Sequence, residues 1–481
     1  MSELKTAIQQ PPLYIDLDNT LSKTNTLHEA TLGLLRTKPW YLFWLPFWLL
    51  RGQAYLWQRL SEHVSLNVAL LPYRPEVLAF LKQEYEAGRE LVLISGSHHT
   101  VVSNVAQHLA LFHDALGSTE SVHLVSERKL AAITEHAQQQ PFDYIGDSRH
   151  DLPIWQASRK AIVVSGSNSL WQQAQKLAPA TERIKPIQPP YLKAIFKAMR
   201  PHQWAKNLLL FAAVFLSHQF TQLPLVLNSA LGFLAFSLCG SAVYVINDLA
   251  DLEADRLHTK KRKRPFAAGD VSALTGAMLA VLLLAGATTV TLVLPKDFAL
   301  VLAGYFVLTL LYSVYLKEKL LIDVFLLGGL FTIRVWAGGA CTGIAISHWA
   351  LAFFMCLFLS LALAKRYSEL ASTVAERGEG ALHRRNYRTS DMQFLLSLGC
   401  SSALISMLVV TLYINSADVV RYYRRPSLLW LICPLLGYWS SRLWLIAARG
   451  RLDEDPVLFT IKDKVSYLTG SIIALIVLLA I

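Results

Sequence analysis

The sequence predicts a two-part chain. An N-terminal α/β, Rossmann-like domain with a small helical cap precedes an all-α polytopic membrane bundle of about nine transmembrane helices. Three observations predict it. Short apolar runs ending in small or acidic residues recur early in the chain, with helical stretches between them. From about Met199 onward, long apolar segments follow one another with short polar gaps. Hydrophobic residues make up 53% of the 481 residues and charged residues 16%, too apolar for an ordinary soluble protein.

Charge divides in the same way. Residues 1–190 hold 17 Lys/Arg and 17 Asp/Glu, so the formal net charge of +11 lies wholly in the rest of the chain. Basic charge confined to loops beside apolar segments points to membrane topology and phosphate-bearing substrates. It excludes nucleic acid, which would need a soluble basic face. The five cysteines (Cys239, Cys341, Cys356, Cys400, Cys433) lie in apolar segments without CxxC spacing. They are read as packing residues rather than disulfides or zinc ligands.

In order along the chain, the runs 12–18 (PLYIDLD), 90–97 (ELVLISGS), 142–148 (FDYIGDS) and 160–166 (KAIVVSG) read as parallel strands. Their carboxyl ends are where function is expected. The α/β domain is assigned to residues 1–180, a Pro-rich basic linker to 181–198 and the membrane domain to 199–481. The polar start MSELKTAIQQ is no secretory leader, so the α/β domain is expected in the cytoplasm. Residues 39–50 (PWYLFWLPFWLL) place Trp40, Trp44 and Trp48 at helical spacing but are too short to span a bilayer. They suit either a membrane interface or lipid-tail groove, or a buried cap helix.

Candidate spans fall near 206–220, 224–246, 273–294, 297–315, 320–344, 348–364, 393–414, 428–448 and 464–481, the first being short. Loops bearing Arg256 and Lys260–Arg264, and then Lys365, Arg366, Arg377, Arg384, Arg385 and Arg388, are expected inside. Alternate loops are nearly uncharged apart from Arg421, Arg424 and Arg425. This orientation predicts a multi-pass membrane protein with the α/β domain on the cytoplasmic side.

Two constellations carry chemistry. In the first, Asp16, Asp18 and Thr20 form D-x-D-x-T at a strand end, where one carboxylate can attack phosphorus while the other serves as acid and base. Ser95 ends the second strand and Lys129 lies in a helical stretch before GDSRHD. There, Asp147 and Asp151 offer hard oxygens that suit Mg²⁺. Over residues 10–170 this set resembles the haloacid dehalogenase (HAD) superfamily. The resemblance implies Asp16 as nucleophile, Asp18 as acid/base, Ser95 and Lys129 as phosphate ligands, and Asp147 as metal ligand, with Asp16, Asp18 and Asp151 around the same Mg²⁺. Asn19 stands where Gly is common.

In the second, NDLADLEAD closes the second span. On a helix Asp248, Asp251 and Asp255 share one face beside Asn247. A divalent cation would relieve their repulsion and bridge a diphosphate; the alternative is a solvated helix end balanced by the basic run that follows. Residues 199–481 resemble the UbiA intramembrane prenyltransferase superfamily. MRPHQWAKN, YSVYLK, IDVFLLGGLFTIRVWAG, LALAKRYSEL and DEDPVLFTIKDKVS are similar to its decaprenyl-phosphate phosphoribosyltransferase branch.

That resemblance implies a Mg²⁺-dependent transferase moving phosphoribose from phosphoribosyl pyrophosphate to a polyprenyl phosphate in cell-envelope biosynthesis. Where aromatic prenyltransferases carry a second Asp-rich motif, this chain reads AKRYSEL. Lys365 and Arg366, with Lys206, Lys317 and Arg334, are therefore expected to bind substrate phosphates. For Lys206 and Lys317 a plain positive-inside anchor fits equally well. The HAD domain would then remove the product's 5′-phosphate. Two alternatives remain: an isoprenyl transferase using a prenyl diphosphate, and a HAD phosphatase on an inactive membrane anchor.

Overall fold

The computed structural model describes residues 10–119, 122–377, 386–416, 419, 423–452 and 456–481. Arg384, Arg385, Arg421 and the acidic residues 453–455 lie outside them. Two compact units result. One comprises Met1–Met199 with Tyr244–Ala280, the other Arg200–Val243 with Val281–Ile481.

In the first unit six parallel strands form one sheet. They are β1 (Leu13–Asp16), β2 (Leu91–His98), β3 (Asp114–Ser118), β4 (Asp143–Gly146), β5 (Lys160–Val164) and β6 (Ala180–Ile184), in the order β3-β2-β1-β4-β5-β6. Alternate residues feed two cores. Tyr14, Val92, Ile94 and Tyr144 pack on one face; Leu13, Ile15, Leu93 and Ile145 pack on the other. Both faces are buried, which is why these strands read as continuous apolar runs.

Helices α1 (Thr26–Thr37), α2 (Leu45–Leu50) and α3 (Gln53–His63) form the cap between β1 and β2. Around the sheet lie α4 (Pro75–Glu86), α5 (His99–Leu109), α6 (Glu127–His136), α7 (Leu152–Ala157) and α8 (Asn168–Leu177). The stretch expected to be a linker instead holds the edge strand β6 and helix α9 (Tyr191–Met199).

The Trp stripe of the cap is broken. Residues Pro39–Phe43 form a 3₁₀ turn before α2 starts, so Trp48 turns inward to Leu34, Leu56 and Trp57 while Trp40 and Trp44 stay exposed. Of the two readings, packing of Trp48, Tyr41 and Leu45 accords with a cap helix buried on one face.

Further helices are α10 (Ala212–Leu216), α11 (Leu223–Ala250), α12 (Leu252–Leu257), α13 (Ala273–Thr291), α14 (Lys296–Val314), α15 (Ile322–Thr342), α16 (His348–Arg377) and α17 (Met392–Ile414). Ile432–Ala448 and Lys464–Ala480 follow later in the chain. Among the described residues seven helices are long and apolar enough to cross a bilayer, and Lys464–Ala480 is a shorter apolar one. The first of the nine candidate spans, expected to be short, is built of two pieces. There, Pro201–Phe211 is a 3₁₀ stretch and α10 has five residues, too short to span.

Small residues allow close helix contacts in the second unit. A Cβ at Gly338 would meet Leu210 O at 2.1 Å, and one at Gly399 would meet the Trp444 ring at 2.0 Å. All five cysteines are free, with Cys239, Cys341 and Cys433 buried.

Candidate active sites

Asp16 ends β1, with β2 on one side and β4 on the other, so it stands where the strand order reverses. The register Ile15↔Ile145 brings the β4 end, and so Asp147, beside it. Carboxylate oxygens of Asp16, Asp147 and Asp151 lie within 4.8 Å of one another. Thr20 Oγ1 donates to Asp147 Oδ1 at 2.9 Å and, more weakly, to Asp16 Oδ2 at 3.4 Å. Lys129 Nζ reaches Asp16 Oδ1 at 2.7 Å and the Tyr144 hydroxyl at 3.2 Å.

Asp151 orders the loop. Its Oδ1 accepts from Tyr144 OH (2.8 Å), and its Oδ2 accepts from Asp147 N, Ser148 N and Ser148 Oγ. The oxygen sits so close to β4 that a Cβ on Gly146 would meet it at 2.7 Å.

The Asp18 carboxylate, also expected around the Mg²⁺, is not among these three clustered carboxylates. Its Oδ1 accepts from Thr26 N at 2.6 Å, and its Oδ2 from Ser95 Oγ at 3.1 Å and from Ser97 Oγ. That surrounding suits an acid/base. Ser97 was missed in the sequence, although Ser95 and Ser97 share a strand face at i, i+2. Arg74 was missed too. Buried, it donates Nε to Asn19 O at 3.1 Å and pins the turn in which Asn19 adopts φ 58°. That left-handed conformation explains Asn where Gly is common.

Burial raises the Asp16 carboxyl to about 7, Asp151 and Asp18 adding to the effect while Lys129 opposes it. Burial, Asp151 and Asp16 likewise push Asp147 well above the carboxylate range. Burial works against the Lys129 charge, but Asp16 and Asp151 outweigh it and hold that ammonium above its usual value. Crowded hard-oxygen donors that resist ionising together fit a divalent cation.

Bound there, Mg²⁺ would supply charge neutralisation to phosphoryl oxygens. Below about pH 7 its binding must displace the Asp16 proton, and that of Asp147 where its carboxyl still holds one, so affinity is expected to rise about tenfold or more per pH unit toward neutrality. Titration calorimetry on an Asp248→Asn background checks this; an affinity independent of pH would contradict it.

The same unit holds the acidic helix end. Asp251 N donates to Asn247 O (2.9 Å) and Asp255 N to Asp251 O (2.8 Å), so helical bonding continues from α11 into α12. Asp248 and Asp255 are both buried and converge on one cation. Arg264 NH1 donates to Asp248 Oδ1 at 3.1 Å and to Asp255 Oδ2 at 2.6 Å. A guanidinium shared by two buried carboxylates shows that the pair accommodates positive charge, which fits a divalent cation. In the sequence Arg264 was read only as part of a basic loop. Asp251 and Asn247 are half-buried beside them.

Arg256 crosses to the cap. It donates to both oxygens of Glu29 on α1 (2.6 and 3.1 Å), and Arg36 pairs with Glu253 at 2.6 Å.

In the second unit Arg334 is buried on α15. It donates to Asn207 Oδ1 (2.9 Å), Tyr305 OH (2.8 Å) and Leu330 O, and lies over the rings of Tyr305 and Phe331. Among the described residues no carboxylate forms an ion pair with it. Buried Lys206 lies 5.5 Å from the Phe331 ring centroid, and Lys317 and Lys365 are half-buried.

Arg366 is a correction. It is almost fully buried and donates to Asp323, Glu369 and Tyr312 OH, while Tyr387 OH donates to Asp323 at 2.7 Å. Its charge therefore serves a buried ion pair rather than a substrate phosphate. Asp323, an acid inside an apolar span, was the sequence signal for that partner. Arg366→Met should lower stability by about 3–5 kcal/mol by stranding Asp323, and adding Asp323→Leu should restore most of it. Thermal melting of the purified protein distinguishes this from a loss confined to turnover.

The first site has the make-up of a phosphoryl-transferring hydrolase, and the spans with their acidic helix end have that of an intramembrane transferase. Residues 14–156 match the haloacid dehalogenase-like hydrolases and residues 208–462 the UbiA prenyltransferase family. The chain belongs to the UbiA prenyltransferase family, with an N-terminal HAD domain, and is an integral membrane enzyme.

Three relatives illustrate its range. An uncharacterized protein of Sinorhizobium fredii, y4nM, is 36% identical over 467 residues, covering 96% of this chain and 90% of that one. Nodulation protein NoeC of Azorhizobium caulinodans is 31% identical over 272 residues, covering 56% and 86%. Decaprenyl-phosphate phosphoribosyltransferase of Mycobacterium tuberculosis is 34% identical over 230 residues, covering 45% and 74%.

Proposed function

We propose that the membrane domain transfers 5-phosphoribose from phosphoribosyl pyrophosphate to a polyprenyl phosphate, and that the HAD domain removes the 5′-phosphate of the product. The observation that carries the first step is Arg334. A guanidinium buried in a membrane span and held, among the described residues, only by neutral groups suits an anionic ligand. Similarity to decaprenyl-phosphate phosphoribosyltransferase supports a phosphoribosyl donor, as does AKRYSEL in place of a second Asp-rich motif.

Asp248, Asp251 and Asp255 would hold Mg²⁺, which supplies positive charge to the departing pyrophosphate. The lipid phosphate oxygen attacks the anomeric carbon as the bond to pyrophosphate breaks. Being already anionic, it needs no strong base.

In the second step Asp16 attacks phosphorus. The ester bond to the ribose oxygen breaks, and Asp18 gives that oxygen its proton. Water then cleaves the aspartyl phosphate and returns a proton to Asp18. Lys129 and Ser95 would hold the phosphoryl oxygens. The basic loops favour placing the HAD domain on the cytoplasmic face of the inner membrane.

Incubating membranes with radiolabelled phosphoribosyl pyrophosphate tests the first step. Label should enter the organic phase only when polyprenyl phosphate is added. Incorporation that instead needs a prenyl diphosphate would sink the proposal in favour of an isoprenyl transferase.

A further inference from the structure

The cap carries an apolar surface that neither step uses. Tyr41, Leu45 and Trp48 pack inward on Ala30, Leu34, Leu56 and Trp57, which fixes their neighbours outward. Trp40, Phe43, Trp44, Phe47 and Leu50 are exposed, Phe43 by 75% and Leu50 by 84%. A contiguous patch of this kind calls for an apolar partner.

Its position in the first unit says which. Helix α1 runs straight into the patch, and two ion pairs fasten α1 to the continuation of a membrane span. Glu29 binds Arg256 through both oxygens, and Arg36 binds Glu253, just beyond the end of α11 at Ala250. The patch thus begins three residues after a side chain fixed at the end of a span. Helix α9, in the same unit, repeats the pattern. Ala194 and Ala198 pack with Leu249 and Phe266, and Tyr191 OH lies 2.8 Å from Thr275 Oγ1 at the start of α13, while Leu192 and Phe196 face outward. Lys38 and Arg51 flank the patch and Lys193 and Lys197 lie on α9, cations that match anionic headgroups.

We propose that residues 39–50 seat the cap in the headgroup–acyl boundary of the bilayer, so that the phosphatase site takes phosphomonoesters carried on lipid. This rests on the phosphatase reading above. The link to the site is short. Thr26, at the start of α1, donates its N–H to Asp18 at 2.6 Å, and its hydroxyl lies 2.6 Å from that of Ser97. One helix therefore joins the seated segment to the acid/base.

Two measurements on the full chain in lipid nanodiscs test this. Nitroxides at Phe43→Cys and Phe47→Cys, with Cys356 and Cys400 replaced by Ala, should relax more with oxygen than with an aqueous nickel chelate. A label at Lys82→Cys, exposed on α4, should do the reverse. Labels at 43 and 47 as open to nickel as that at 82, or shielded from both reagents by protein, would overturn the anchor.

The second measurement uses Trp40, Phe43, Trp44 and Phe47 changed together to Ser. Hydrolysis of p-nitrophenyl phosphate should persist within about twofold, while turnover of a lipid phosphomonoester in the disc falls about tenfold or more. An equal fall in both would mark the patch as structural and overturn the proposal. If the unmodified chain hydrolyses neither ester, the phosphatase reading fails and the nitroxide result alone decides the anchor.

Discussion

Asp16→Asn should remove phosphatase turnover by about 10³-fold or more, because a carboxamide cannot form the phosphoryl-enzyme. The loss should come without unfolding. Burial already raises the Asp16 carboxyl to about 7, so near neutrality the native site tolerates an uncharged group in that position.

The sign follows from linkage. An acid whose pKa is higher in the folded state than its unfolded value of 3.8 destabilises the fold increasingly as pH rises from there toward about 7. Without metal, Asp16→Asn should thus be as stable as the native chain near pH 4 and more stable near pH 8. Lys129 opposes this only in part, since Tyr144 and Asp151 remain around its ammonium.

In membranes supplied with labelled phosphoribosyl pyrophosphate, the same variant should accumulate a lipid that still carries the 5′-phosphate. Thin-layer separation before and after alkaline phosphatase identifies it. An unchanged product pattern would refute the coupling of the two steps.

How much of this was legible in the sequence depended on how local each signal was. The HAD site was legible because its residues sit at strand ends, where apolar runs stop at acids; the left-handed turn at Asn19 was not read there. The direction of the Asp18 carboxylate was not legible, because a motif fixes its position but not its oxygens, which the N–H of Thr26 and the hydroxyls of Ser95 and Ser97 hold. Strand β6 was taken for linker because an edge strand is half-exposed and lacks a full apolar run.

Arg366 was misread for a related reason. A base at the end of a span looks the same whether it meets a substrate or a buried acid some forty residues earlier in the chain, here Asp323. The pairing of Arg256 with Glu29 joins residues more than two hundred positions apart, and neither side carries a motif. Long-range ion pairs of this kind are the part that folding alone reveals.

Asp248→Asn should abolish lipid-linked ribose, by about 10³-fold or more, while p-nitrophenyl phosphate hydrolysis continues. The change keeps the shape and an oxygen for Arg264 but removes one of two buried negative charges that converge on that guanidinium. Arg264→Met makes the complementary prediction. Without its cation the pair Asp248 and Asp255 would repel at neutral pH, so this variant should melt earlier in chelator and recover when Mg²⁺ is added. Asp248→Asn should show a much smaller Mg²⁺-dependent recovery. If Arg264→Met gains no more from Mg²⁺ than the native chain does, then Asp248 and Asp255 do not hold the cation and the donor site lies elsewhere. If it does recover, the tethered arginine and the metal occupy the same electrostatic position, and transfer must begin by exchanging one for the other.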